Sequence, residues 1–118
     1  MKNLKDLGDF GEDKAVDFLS SQGFEIIERN FRYGKLGEID IIAQKDFLVV
    51  FAEVKNRRSR QFGGALYSIT SSKKKKLTKV AQFFLTKHPQ YNSKDYTHRF
   101  DLIALEDGEI QWIEDIIR

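Results

Sequence analysis

The sequence predicts an α/β domain, a mixed sheet covered by helices, in the order α-β-β-β-α-β-β. Three observations carry that prediction. Apolar residues recur at helical spacing in two separate stretches, one near each end of the first ninety residues. Between them lie three short runs rich in Ile, Val and Phe, each bounded by turn residues. Past the second helical stretch, Asp107-Gly108 sits between two more such runs, a strong hairpin signal. At 118 residues the chain has room for one compact domain, 1–118, and is too short for two.

The elements follow in order. Residues 4–22 form the first helix: Leu4, Leu7, Gly8, Gly11, Ala15, Phe18 and Leu19 share one face, and Gly23 stands where a helix C-cap belongs. The two glycines on that face allow close approach of a sheet or of a ligand. Residues 24–33 make a first strand ending in the turn Gly34-Lys35, residues 37–44 a second and 47–57 a third. Residues 59–72, with Gly63-Gly64 at the centre, read as loop. A second helix runs to about His88, with Leu77, Val80, Ala81, Phe84 and Leu85 as its apolar stripe and Pro89 as its stop. THRFDLIALEDGEIQWIEDI closes the chain as a C-terminal β-hairpin that completes the sheet.

Composition narrows the function classes. Absence of Cys excludes disulfides and Cys-ligated zinc and suits a reducing cytoplasm. The N-terminus has no apolar run of signal-peptide length, and no stretch approaches the ~18 apolar residues of a membrane span. Charge is unevenly distributed: residues 53–99 hold 12 basic and 2 acidic residues, while both flanks are net acidic. Such a block points to an anionic partner, most simply nucleic acid, against the blander reading of a solvated lysine-rich surface.

The strands raise a sharper question. Strands two and three are apolar on both faces near their shared turn, yet carry Glu38, Asp40, Glu53 and Lys55 at the far end. Alternation places Asp40 with Glu38 and Ile42, and Glu53 with Phe51 and Lys55. A turn centred on Lys45-Asp46 would set Glu38 opposite Glu53 and Asp40 opposite Phe51, with Asp40 diagonal to Glu53 on one face. Like charges opposed in a sheet are destabilising, and burying carboxylates costs several kcal/mol. Either Lys55 neutralises them as a structural ion pair, or a divalent cation sits between them. Mg²⁺ (or Mn²⁺) takes one or two protein carboxylates and fills its shell with water. Asp40 and Glu53 suit it, and Lys55 would orient the attacking water and stabilise charge on a phosphate.

GEIDIIA, a spacer and then EVKNRR resembles the PD-(D/E)xK motif of the restriction-endonuclease-like superfamily. GEDKAVDFLSSQGFEIIERNFR upstream and FGGALYSITSSKKKKLTKVAQFFL downstream resemble, in order and spacing, the YraN family of uncharacterised bacterial proteins, which is similar to archaeal Holliday-junction resolvases. The likeness covers nearly the whole chain. It implies a restriction-endonuclease-like αβββαβ core, Asp40 and Glu53 as metal ligands, Lys55 as catalytic lysine and Glu12 as the helix-one glutamate of resolvase-type members. The residue before Asp40 is Ile39, where the motif has proline. By spacing alone Glu12 lies at the rim of the first helix's apolar stripe, an exposed helix glutamate or one leaning to the sheet.

The basic residues complete the reading. SSKKKKL opens the second helix with four lysines where the helix dipole prefers acids. A phosphate there would gain from free N–H groups and lysines together, and a frayed, solvated first turn is the alternative. Lys73, Lys74, Lys75, Arg57, Arg58 and Arg32 are the candidate phosphate contacts. His88, His98 and Trp112 read as structural. The function expected is that of a metal-dependent DNA endonuclease, perhaps selective for branched structures. The alternatives are a non-catalytic nucleic-acid-binding module with the same fold, or a protein-interaction domain with structural ion pairs. Cutting a four-way junction symmetrically would call for a two-fold homodimer.

Overall fold

The computed structural model describes residues 4–57 and 69–117; for residues 4–9 and Arg57 only the backbone is described. Arg58 and the Gly63-Gly64 loop centre therefore lie outside the described residues, as do the side chains of Leu4 and Leu7. The elements are α1 (Leu4–Ser21), β1 (Glu25–Arg32), β2 (Glu38–Lys45), β3 (Leu48–Arg57), α2 (Ser71–Lys87), β4 (Thr97–Glu106) and β5 (Glu109–Ile113), with a short 3₁₀ helix at Pro89–Asn92. The order matches the αβββαβ expectation with a closing hairpin. The strands lie in the order β1-β2-β3-β4-β5, antiparallel except for the parallel β3–β4 pair. A parallel pair needs a crossover, and α2 lies in that connection. Among the described residues, no helix is long and apolar enough to cross a membrane.

Each sheet face has its own core. Ile41, Ala43, Val50, Ala52, Ile103 and Leu105 pack with Ala15 and Leu19 of α1. Ile42, Val49 and Phe51 pack with Leu77, Val80, Ala81 and Phe84 of α2. These are the alternations and helical stripes read from the sequence. The first helix ends as its glycine foretold: Gly23 has φ +92, its N–H bonds the Ser20 carbonyl, and Phe24 N–H reaches the Leu19 carbonyl. Gly11 answers the close-approach question, since a Cβ there would lie 2.9 Å from Asn56 Cβ on β3.

Three expectations need correction. The β2–β3 turn is Asp46-Phe47, with φ 49 and 64, so Ile42 pairs with Phe51 and Ile41 with Ala52. Continued one step, that register sets Asp40 beside Glu53, where the expected turn placed Phe51. The shift is two residues, so the faces are unchanged. A bulky Phe with positive φ gives little turn signal in a sequence. Second, Ile39 packs with Phe31 on the α2 side and not with Ile41 and Ala43. Asn30, just before Phe31, takes left-handed backbone at φ 54, so ideal strand alternation does not hold at this end of the β1–β2 ladder. Third, β5 stops at Ile113 instead of running on to Ile116. Asp115 has φ 59, its N–H donates to Asp101 Oδ1 at 2.9 Å, and Ile116 N–H returns to the Phe100 carbonyl.

Candidate active site

The ladder between β2 and β3 runs from Lys45↔Leu48 to Ile41↔Ala52. Just beyond its last pair, the Asp40 carboxylate accepts the Val54 N–H at 2.8 Å. Asp40 and Glu53 are thus brought together where the two strands leave regular pairing. Both line a cavity of about 430 Å³ with Glu38, Lys73 and Lys76, between the sheet and the first turns of α2.

Glu53 is 7% exposed, and its Oε1 is approached by two ammonium groups. Lys73 Nζ lies 2.7 Å away and Lys55 Nζ 3.7 Å. Lys55 comes from the same strand and face, as alternation requires. Lys73 comes from α2, where its own backbone N–H is held at 3.1 Å by the side chain of the N-cap, Thr70. Lys73 was expected among phosphate contacts; the structure turns it inward, onto a carboxylate. The sequence held one signal for this, the spread of four consecutive lysines around a helix axis, which forces some of them toward the sheet. Lys74 and Lys75 do line another cavity, of about 500 Å³, with Ser71, Thr78, Lys79, Gln82 and Ile117.

The electrostatics reflect crowding of like charge. Burial, followed by the Glu53 carboxylate, pushes the Asp40 carboxyl up from 3.8 to about 8, with Glu12 and Glu38 adding to the rise and the Val54 N–H opposing it. Burial, then the charge of Lys73, lowers the Lys55 ammonium from its ordinary value. Burial works against charge on Lys73, yet the hydrogen bond and charge of Glu53, with smaller help from Lys55 and Asp40, together hold its pKa high.

Glu12 leans to the sheet and is buried. Its Oε1 accepts from Asn30 Nδ2 at 3.0 Å and from Arg29 Nη2 at 3.5 Å, while Arg29 also pairs with Asp13 at 2.7 Å. Burial raises the Glu12 carboxyl despite those donors. Asp40 feels Glu12 across the end of the sheet, but the partners of Glu12 are β1 side chains. Arg32 pairs with Glu38 at 3.1 Å and is otherwise open to solvent. Trp112 packs edge-on to Phe18 and Phe24, His88 stacks on Phe84, and His98 bonds the Tyr91 carbonyl, all structural positions.

The donor set suits a hard divalent ion. Among the described residues no three His, Asp or Glu side chains are gathered for a metal. Two adjoining carboxylates opening to a cavity are what Mg²⁺ ordinarily uses, with water completing the shell.

Comparison with known proteins gives the lineage. Residues 11–105 match the model of the uncharacterised protein family UPF0102, the YraN family. A UPF0102 protein of Caldicellulosiruptor saccharolyticus is 46% identical over 103 residues, 87% of this chain and 84% of that protein. One from Shewanella loihica is 42% identical over 106 residues, 90% and 89% of the two chains. One from Francisella tularensis is 42% identical over 109 residues, 92% of each. The chain belongs to the UPF0102 family.

Proposed function

We propose that this UPF0102 protein is a metal-dependent DNA endonuclease acting in the cytoplasm, with Asp40 and Glu53 as the ligands of a divalent ion. The observation that carries the reading is the meeting of Asp40 and Glu53 in one cavity beside Lys55 and the basic end of α2. That meeting is costly: a carboxyl pushed to about 8 by burial and a neighbouring carboxylate weakens the fold at neutral pH. Such a cost is typical of sites shaped by chemistry rather than packing. When bound, Mg²⁺ or Mn²⁺ supplies Lewis-acid stabilisation of the charge growing on a phosphodiester under attack by water.

The chain's own residues carry the rest. Asp40 gives up its proton on loading and keeps the Val54 N–H as its backbone anchor. Lys55, half-buried beside Glu53, orients the water and faces the phosphoryl oxygens; its lowered pKa eases release of a proton. Glu12, tied to β1 through Asn30, holds the rim of the site. Lys74, Lys75 and Lys79 lie on another side of α2 and hold the DNA backbone by charge alone.

The test is incubation of purified protein with duplex, single-stranded and four-way-junction DNA, with Mg²⁺ or Mn²⁺ or with EDTA. Divalent-dependent cleavage is expected, lost in Asp40→Asn and Glu53→Gln with DNA binding retained. Binding that falls by about 0.9 log units per log unit of salt for each duplex phosphate contacted, with a slope flattened by Lys74→Glu/Lys75→Glu, supports the basic surface as the DNA contact. DNA binding without a cut under any condition rejects the nuclease and leaves a non-catalytic nucleic-acid-binding module. On four-way junctions the reading calls for a homodimer, two chains per junction by light scattering; one chain per junction rejects paired cutting.

A further inference from the structure

Two lysines contend for one oxygen of Glu53, and the nearer comes from outside the strand motif. Lys73 Nζ sits 2.7 Å from Oε1, a charge-assisted hydrogen bond; Lys55 Nζ, at 3.7 Å, makes only an ion-pair contact. Glu53 is buried, so its charge needs a partner at all times. Lys73 is two-thirds withdrawn from solvent yet reaches the site on a flexible four-carbon stem from a capped helix turn. It can therefore leave without moving β2, β3 or α2. The cavity gives it somewhere to go, since Lys73 and Lys76 line the same space as Asp40 and Glu53.

We infer that Lys73 is the resident counter-ion of the unloaded site: it occupies the Glu53 oxygen that a divalent cation takes, and the two compete for it. The inference rests on the metal reading above. A divalent ion bound through Oε1 would meet the Lys73 ammonium 2.7 Å from that oxygen, and Lys73 would have to give way. Lys55, at 3.7 Å from the same oxygen, makes no hydrogen bond that would have to be broken. The lysine thereby keeps a buried carboxylate compensated before loading and makes the site weaker for cations than its two carboxylates alone would be. Once displaced, Lys73 carries a free charge at the N-terminus of α2, within the cavity a phosphate would enter. Lys73 acts here through Glu53, as a positioning residue.

Two measurements test it without any cleavage assay. In calorimetric titrations with Mn²⁺, Lys73→Met should bind at least about tenfold more tightly than wild type, the worth of one hydrogen bond between charged groups. Lys76→Met removes an equal charge from the same cavity without touching Glu53, and should change affinity far less. Equal affinity in wild type and Lys73→Met, or equal gains in the two variants, overturns the competition and leaves the metal site standing. No Mn²⁺ binding in any form overturns the metal site and the competition together. In wild-type protein, acylation of Lys73 by an amine-reactive ester, read by peptide mass spectrometry, should be slow without metal and several-fold faster with saturating Mn²⁺, while Lys74 and Lys75 react alike in both. Unchanged Lys73 reactivity at saturation overturns the displacement even if Lys73→Met proves too unstable to titrate.

Discussion

Two carboxylates on neighbouring parts of the sheet meet opposite fates. Asp101, in the middle of β4, is fully buried and fully answered. Arg99 Nε and Nη2 grip its two oxygens at 2.9 Å each, Trp112 Nε1 donates at 2.9 Å, and the Asp115 N–H at 2.9 Å. Asp40, at the frayed end of the β2–β3 ladder, accepts the Val54 N–H, and the neighbouring charges that shift it most are carboxylates. Asp101 holds the C-terminal tail and β5 against the sheet. Asp40 is held in its protonated form up to about pH 8, at a cost to the fold, beside a cavity. The difference separates a carboxylate kept for architecture from one that suits the proposed metal chemistry.

The largest effect should come from breaking the first. Asp101→Ala leaves Arg99 and the Trp112 and Asp115 N–H groups without their shared acceptor, and should cost roughly 3–5 kcal/mol in urea unfolding. A loss under 1 kcal/mol would mean that the tail is not anchored there. The second carboxylate should respond with the opposite sign. Asp40→Asn removes the repulsion with Glu53 while keeping an oxygen for Val54 N–H, and should stabilise the metal-free protein by roughly 1–3 kcal/mol at pH 9. The sign with pH follows from the raised pKa. Below about pH 4 native and unfolded chains both hold the proton and Asp40 contributes nothing. From there to about pH 8 the unfolded chain releases it while the native chain keeps it, so stability falls as pH rises; above pH 8 the full cost is present. The advantage of Asp40→Asn should therefore vanish at pH 4 and grow through pH 8. An advantage independent of pH would place its cause elsewhere.

Two smaller tests probe the scaffold that brings the charges together. Gly11→Ala sets the ~1 kcal/mol helix-propensity gain of alanine against a Cβ–Cβ approach of 2.9 Å to Asn56. Overlap of that kind costs ~1–3 kcal/mol, so a net loss near 1 kcal/mol is expected in thermal unfolding; a gain would show that α1 has room to shift. Thr70→Ala removes the cap that holds the Lys73 backbone and should cost ~1 kcal/mol, with α2 amides nearest the cap exchanging fastest.

Most of the fold was legible because alternation and helical spacing are local. Ile41, Ala43, Val50 and Ala52 against Ile42, Val49 and Phe51 sort correctly from the sequence alone. The pairing of Asp40 with Glu53 in one cavity was legible for the same reason: a register error of two residues leaves faces unchanged. The register itself was hidden by the Asp46-Phe47 turn, since a phenylalanine 59% exposed with φ 64 is poor turn chemistry, held here by contact with Tyr96 and by Thr97 N–H on its carbonyl. The Lys73–Glu53 bond joins residues 20 apart through a helix position that only packing decides. Asp101 does leave a signal in the sequence, an acid inside the apolar run FDLIAL with its arginine two residues before it.

Everything proposed for this site depends on Asp40 and Glu53 holding a cation. Crystals of the wild-type protein soaked in Mn²⁺ at pH 8, with an anomalous difference map, test this most directly. One peak is expected about 2.1–2.3 Å from oxygens of both carboxylates, with Lys73 Nζ withdrawn from Glu53 Oε1. A peak bound elsewhere, or the Lys73–Glu53 bond intact with no density between Asp40 and Glu53, would contradict it.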